Sequence, residues 1–549
     1  MEIIWEKNYP NNVKRRIEIP EVSIYQLFKE AVKNYGPKEA ICFYNITKTY
    51  SEIEIDVERI ASGLSALGLK RGDKLAVLLP NCLQYVYIFF ACSKLGVTLV
   101  NINSYFTFNE IKNLISITKA KTIFVFVEYI TKIIDLFPIA LDKIIIVRTE
   151  LYFTHILNSI PGLKTLLIHD ELPRDKNIMF MIDVGKNLPP VDEVPVDPKK
   201  DIALIHFTGG VTGIPKGAAI SHYNLISNIY ILNEWLKDAN KEDLAVIGTT
   251  PYFHVFGISF TMILPMFFGA KIELITHPED LNSIINAIEK NHNTFYPDLP
   301  ARFSAFLEDM HIRKISVNGT LRVMSGASML SESVRTNFKS KFGIKLYQGY
   351  GMTESPIVSL CPFDDDVDRG SSVGLPLPNT SVRIVDLKTG INDMPLGESG
   401  ELIVKGPQVI KEYLTDTINK PAVKDGWLYT GDMARIDENG FIYITGRKKE
   451  LILVSGMSVY PYEVEKFIKS NPKVEECAVV GMPDLMTEEA VVAFIVIKNS
   501  RTLTTEEIMD YCRKNMAKYK VPQVVLFVDH LPKNVLGKVL KNELKKLVK

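Results

Sequence analysis

The chain lacks paired cysteines. Its six, at positions 42, 82, 92, 361, 477 and 512 of 549, never stand closer than ten residues apart, so neither a CxxC redox pair nor a zinc-ribbon spacing exists and scattered reduced thiols are expected. It also lacks net charge. Lys plus Arg and Asp plus Glu both number 64, which offers nucleic acid no long-range attraction. The apolar run from Val255 to Ala270 has Pro265 inside it and is too short to cross a bilayer. MEIIWEKNYP at the N-terminus has no basic segment followed by an apolar stretch and a cleavage site, so a soluble cytoplasmic protein is expected. No 20–50-residue period repeats, which excludes a solenoid. No GK[ST] triplet occurs, which excludes a Walker A loop.

What remains is ordinary globular composition, 46% hydrophobic and 23% charged with 29 Pro and 32 Gly, incompatible with a mainly disordered chain. At roughly 100–200 residues per domain, the length calls for several cores. Ser23 and Gln26 have capping-box spacing ahead of a helical stripe of Ile24, Leu27, Phe28, Ala31 and Val32. Ser51 and Glu54 repeat the device before Ile53, Val57, Ile60 and Leu64, with Gly68 as the stop, and LAVLLP (75–80) reads as a buried strand. Helix and strand alternate in the manner of an α/β sheet with covered faces.

From about 370 to 445 the pattern changes to short alternating strands such as SVRIVD and GELIVKG, with Asn439-Gly440 as a hairpin turn. After GRKKE (446–450) come VEKFIKS, CAVVGM and AFIVIK and a Lys-rich end, read as a small α+β domain. The predicted division is 1–446 and 447–549, with a β-rich, barrel-like part at about 370–445 and two α/β subdomains before it.

The most informative segment is FTGGVTGIPKGAAISHYNL (207–225), in which a strand runs into glycines, threonines and one lysine. Glycines let backbone N–H groups approach a phosphate chain, hydroxyls donate to its oxygens and an ammonium neutralises charge. In YGMTE a carboxylate beside a hydroxyl on a glycine-flanked turn suits Mg²⁺ shared with phosphate. Asp432 in YTGD could accept from both vicinal hydroxyls of a ribose, although an Asp after Gly is by itself more often a turn residue.

Taken with PYFHVFGI (251–258), YQGYGMTES (347–355), GWLYTGDMARIDENGFIYITGRKKELILVSGMSVYPYEVE (426–465) and LPKNVLGKVLKNEL (531–544), the loop resembles the phosphate-loop signature of the AMP-forming acyl-CoA synthetases. The order is the family's, and the likeness spans essentially the whole chain. The TGG of the loop paired with LILVSGMSVYPYEVE looks most like long-chain fatty acid CoA ligases.

The resemblance implies roles. Thr208, Gly209, Gly210, Thr212, Gly213 and Lys216 would hold phosphates. Glu354 would hold Mg²⁺, and Thr353 would contact a phosphate. Tyr350 and Gly351 would lie on one face of adenine, with Gly326, Ala327 and Ser328 as the opposite wall. Asp432 and Arg447 would hold the ribose. Lys538 would stabilise the charge that gathers when a carboxylate attacks the α-phosphorus, an electrostatic role rather than a basic one. His254, Phe256, Gly257 and Gly349 would line the acyl pocket, for which Tyr296 and Asp298 are further wall candidates. Lys449 would be the hinge of the small domain, and Gly456 would let the backbone approach CoA.

Val211 stands where many members carry Ser or Thr, and Ser328-Met329 replaces the more usual Ala-Pro or Met-Pro. The implied activity is an ATP-, Mg²⁺- and CoA-dependent ligase for a medium- or long-chain fatty acid. A ligase for a short, aryl or hydroxylated acid, transfer to a carrier protein, and a silent fatty-acid-binding protein stay open. So do an oligomer and peripheral membrane contact.

Overall fold

The computed structural model describes residues 4–44, 46–148, 175–208, 216–237, 243–309, 312, 315–317, 319–363, 369–414, 423–455, 457–484, 486–498, 501–534 and 537–548. Four sheets organise them. The first has seven strands in the spatial order Ile178–Phe180, Lys143–Val147, Thr122–Phe126, Lys74–Leu78, Thr98–Asn101, Ile202–Thr208 and Lys216–Ser221. Every neighbouring pair is parallel except the last. The second has nine strands and a parallel centre built from Thr320–Ser325, Asn293–Asp298, Leu244–Gly248 and Lys271–Leu274. Both are α/β sheets, as the alternation of helical and strand patterns predicts.

Helices fill the space between these sheets. One core joins Leu75, Val77 and Leu99 of the first sheet to Ile41, Val246 and Ile272 of the second through Ile24–Tyr35, Tyr50–Ala66, Leu83–Leu95 and His222–Trp235. Every residue of Leu83–Leu95 is buried, which explains why LQYVYIFFACSKL shows no polar face: a helix covered on all sides needs none.

The capping box at Ser23 and Gln26 forms as expected. The second box differs. The cap is Thr49, in extended conformation and accepting from the Glu52 N–H, while Ser51 lies inside the helix. The strand Ile46–Thr49 runs into the helix without a linker, so the last strand residue is the one available to cap. Five of the cysteines are buried and Cys361 is half-buried, all as free thiols.

A third, antiparallel sheet contains Ser381–Val385, Gly400–Lys405, Trp427–Ile436, Val423–Lys424 and Ile442–Arg447. The turn before Ile442 passes through Gly440 at a φ of 84°, the left-handed geometry that Asn-Gly turns supply. The fourth sheet pairs Val474–Asp484 with Glu488–Ile497, adds Ile452–Val454, Met457–Val459 and Val524–Phe527, and packs on Pro461–Lys469. Among the described residues no helix is long and apolar enough to cross a membrane.

Candidate active site

Ligands of open α/β sheets gather outside the carboxyl ends of the parallel strands, where Thr208 ends the strand Ile202–Thr208 and residues 326–328 follow the strand Thr320–Ser325, while Asp432 and Arg447 lie on the antiparallel sheet. The strand Ile202–Thr208 folds back antiparallel on Lys216–Ser221 with Thr208 opposite Lys216. Gly209, Gly210, Val211, Thr212 and Gly213, between them in sequence, lie outside the described residues. Lys216 places its ammonium 5.3 Å from the centre of the Tyr413 ring.

The segment 407–414 is stitched across this region. The Leu414 N–H donates to the Gly217 carbonyl at 2.7 Å, and that of Ile410 to the Glu354 carbonyl at 2.9 Å. The Asn224 amide donates to the carbonyls of Pro407 and Val409, both at 2.9 Å.

Thr353 and Glu354 form the turn of the hairpin between Leu346–Met352 and Ser355–Leu360, and both are buried. Gly351 is required there, since a Cβ would sit 2.2 Å from the Pro356 carbonyl oxygen. Glu354 accepts the Tyr413 hydroxyl at 2.5 Å. Burial raises its pKa, opposed by the Tyr413 bond and the positive charge of Arg447.

Asp432 and Arg447 face each other across the strands Trp427–Ile436 and Ile442–Arg447. The Arg447 Nε lies 2.7 Å from Asp432 Oδ1, and the Tyr350 hydroxyl donates to Oδ2 at 2.7 Å. Asp432 is buried; burial raises its pKa, while Arg447, the Tyr350 bond and then Lys538 pull it down. Tyr350 therefore has a polar anchor at its hydroxyl in addition to its ring faces.

Strand Thr320–Ser325 ends at the predicted wall. The Gly326 N–H donates to the Asp298 carbonyl at 3.2 Å, the Ser328 N–H to the Gly326 carbonyl at 2.8 Å, and Ala327 takes a φ of 64°. Gly326 abuts Phe256, with 3.2 Å between a hypothetical Cβ and the ring; one on Gly349 would meet Met324 Cε at 2.4 Å, and Met324 Cε also lies within 3.7 Å of the Gly326 position. The predicted acyl pocket and adenine wall are thus contiguous.

Gly257 lets the chain pass the Pro251 carbonyl, 2.3 Å from where a Cβ would stand. His254 caps the short helix Val255–Gly257, its Nδ1 accepting from the Phe256 N–H at 3.3 Å. The chain continues into the π-helical turn Ile258–Ile263, a geometry frequent at functional sites.

Tyr296 and Asp298, the further wall candidates, are buried and bonded to each other around one carboxylate. Asp298 accepts from the hydroxyls of Tyr296 at 2.7 Å and Thr249 at 2.8 Å and from the Leu299 N–H at 2.7 Å.

Lys538, carried by the C-terminal tail, is exposed, yet the protein around it and the charge of Arg447 lower its pKa, with Asp432 and Glu450 pulling the other way. Lys541, three residues on, bonds Glu450 at 3.0 Å and Glu465 at 2.8 Å. In the turn Lys448–Glu450, Lys448 pairs with Glu401 at 2.5 Å and Lys449 is exposed. Gly456 lies outside the described residues.

Two residues escape motif reading. Tyr413 joins Lys216 to Glu354, but the pairing of Tyr413 with Ala218 is long-range and leaves no local signal. His206, two positions before Thr208, meets the His254 ring edge-on at 5.6 Å. Burial lowers the pKa of His206 to about 3 and that of His254 to about 4, which keeps both imidazoles neutral. A lone buried histidine in a strand would have been the signal, and it is an ambiguous one.

A family profile described as AMP-binding enzyme matches residues 28–414, and one described as AMP-binding enzyme C-terminal domain matches residues 463–538. The chain is 31% identical over 545 residues to a protein of Bacillus subtilis (strain 168) named long-chain-fatty-acid–CoA ligase, spanning 98% of this chain and 97% of the relative. It is 31% identical over 556 residues to a probable 4-coumarate–CoA ligase 1 of Dictyostelium discoideum, spanning 98% and 96%. Among solved structures, ATP-bound MatB from Rhodopseudomonas palustris superposes with a TM-score of 0.82 at 26% identity, covering 96% of this chain and 99% of MatB.

Proposed function

The chain belongs to the AMP-binding enzyme family, and on that premise we propose that it is a fatty acid–CoA ligase working through an acyl-adenylate. In the first step a carboxylate oxygen of the acid attacks the α-phosphorus of ATP. The bond from phosphorus to the bridging oxygen breaks, and pyrophosphate leaves with the electron pair. In the second, the sulfur of CoA attacks the acyl carbon, the bond from that carbon to the phosphate oxygen breaks, AMP leaves and the thiol proton passes to solvent.

The observation that carries the reading is the convergence of charge from three parts of the chain. Lys538 of the tail acts on Asp432 and Arg447 of the antiparallel sheet, while Tyr350, from the nine-stranded sheet, bonds the same Asp432. A cation within electrostatic reach of the group we assign to the ribose supports the first step. The substrate carboxylate is already ionised, so alignment and charge stabilisation suffice.

We assign phosphate contacts to the loop 208–216 and to Thr353, and the nucleotide walls to Tyr350 with Gly351 and to 326–328. The acyl end falls to His254, Phe256, Gly257 and Gly349. Glu354 fits a magnesium ion: it offers a hard oxygen donor at a turn beside Thr353, and Mg²⁺ commonly takes one or two carboxylates and fills its shell with phosphate and water. When bound there the ion neutralises phosphate charge. We take 1–446 as the adenylating part, with its β-rich portion at about 370–445, and 447–549 as a mobile part turning at Lys449. That turn would bring the region of Gly456 to the thiol.

The acid is proposed to be a medium- or long-chain fatty acid, supported by the name of the Bacillus relative and by the apolar walls around Phe256 and Met324. An aryl acid is the second reading, favoured by the likeness to the Dictyostelium protein. AMP release over acids from short to long chains and an aryl acid, with and without CoA, tests both. CoA-dependent turnover rising with chain length, by up to about 0.8 kcal/mol per buried methylene, is expected, and a preference for the aryl acid would overturn the first reading.

A further inference from the structure

The loop that carries Lys538 rests on the first turn of the helix Pro300–Glu308. Gly537 approaches so closely that a methyl group on it would come within 2.7 Å of the Ala301 Cβ, where two carbons in contact need about 3.5–4 Å. Gly537 also takes a φ of 73°, a conformation glycine adopts without a steric penalty. The turn is tight. The Gly537 N–H donates to the Asn534 carbonyl at 2.8 Å and the Lys538 N–H to Asn534 Oδ1 at 2.9 Å, while the Asn534 N–H returns to the Lys538 carbonyl at 2.9 Å. Wherever Gly537 is seated, the backbone of Lys538 follows.

The opposite side of the contact is equally fixed. Asp298 holds the start of the helix through the Leu299 N–H, with the Arg302 Nε 3.7 Å from its Oδ2, and its carbonyl accepts the Gly326 N–H. The seat is therefore braced to the strand end assigned to the nucleotide wall. Ala301 is on the exposed side of the helix, where a larger side chain would cost the helix itself nothing, so its small size matters only to what lands on it.

We propose that Ala301 and Gly537 form the docking contact that places Lys538 for acyl-adenylate formation, and that the first step, not the second, requires both to be small. Both act as positioning residues, and the proposal rests on the two-step reading above.

The test separates the half-reactions in the full-length protein. Ala301→Leu is expected to slow acid-dependent ATP–pyrophosphate exchange at least tenfold, through kcat with the acid KM unchanged. Acyl-CoA formation from supplied acyl-AMP and CoA should stay within twofold of the unaltered protein, which also reports that the variant is folded. Gly537→Ala should lose exchange in the same way. Ala301→Gly combined with Gly537→Ala removes the opposing methyl and is expected to regain at least threefold over Gly537→Ala alone, the non-additivity expected of residues in contact. Unchanged exchange in Ala301→Leu or equal loss of both half-reactions would overturn the seat. Absence of exchange in the unaltered protein would overturn the ligase reading and the seat with it, whereas normal exchange there with unaffected variants would overturn the seat alone.

Discussion

The Tyr413 hydroxyl donates to a Glu354 carboxylate oxygen at 2.5 Å, and the face of the same ring lies 5.3 Å from the Lys216 ammonium. One side chain thus braces the Lys216 cation with its π face and a buried carboxylate with its polar end. A cation over an aromatic face contributes about 0.5–1 kcal/mol where exposed and more where desolvated.

Tyr413→Phe keeps the ring and removes the donor. Glu354 is then left buried without that bond, so the folded state should lose about 1–3 kcal/mol, read as a lower urea midpoint. The ATP requirement of pyrophosphate exchange should rise several-fold. An unchanged ATP dependence would remove Tyr413 from the support of the site.

Asp432 bonds Tyr350 and Arg447 at 2.7 Å each. Asp432→Ala is expected to raise the ATP concentration needed for half-maximal exchange by about tenfold, the effect of losing about 1.4 kcal/mol of binding, with the ranking of acids unaltered. A changed acid ranking would place Asp432 at the acyl end.

Lys538→Ala should abolish exchange and leave thioester formation from supplied acyl-AMP. Stabilising charge in the transition state is the task assigned to this ammonium, and the second step does not gather charge at the same phosphorus. Equal loss of both steps would contradict the assignment.

Burial lowers the pKa of His206 to about 3 and those of His222 and His254 to about 4. The unfolded chain protonates these imidazoles near 6.5 while the folded one does not, so between pH 6.5 and 4 the unfolded state binds more protons. Stability from this source is complete above pH 6.5 and is lost as pH falls, at up to about 1.4 kcal/mol per unit for each histidine. Asp298, Glu354 and Asp432, raised by burial, contribute the opposite slope, and Asp201 raises the His222 pKa somewhat. His222 accepts the Ile24 N–H at 3.3 Å. His222→Gln should therefore lower the urea midpoint at pH 7 yet flatten its fall from pH 7 to 5 relative to the unaltered protein. Parallel curves for the two would refute it.

The elements with a clear period were legible from the residues themselves. Ile24, Leu27, Phe28, Ala31 and Val32 lie buried on one helix face, and Leu75 to Leu78 form a buried strand. The helix start at Thr49 was displaced by two positions because Thr49-x-x-Glu52 and Ser51-x-x-Glu54 are equally good caps in sequence. Only the strand leading in decides between them. At the site, Asp432 and Arg447 lie 15 residues apart on adjoining strands, and their meeting follows from the hairpin at Asn439-Gly440. Tyr413, His206 and Ala301 gain their places from chain segments far away in sequence, and no local pattern marks such residues.

Around Lys449 the ion pairs divide unevenly. Lys448 is bound back to Glu401 of the antiparallel sheet, while Glu450 is bound forward to Lys541 of the tail. Each neighbour is thus tethered to a different part of the chain, and Lys449 is the residue between the two ion pairs. The turn proposed at Lys449 would then be confined to the backbone of that residue. Its ease would depend on ionic strength, because salt loosens both ion pairs and so would lengthen the joint.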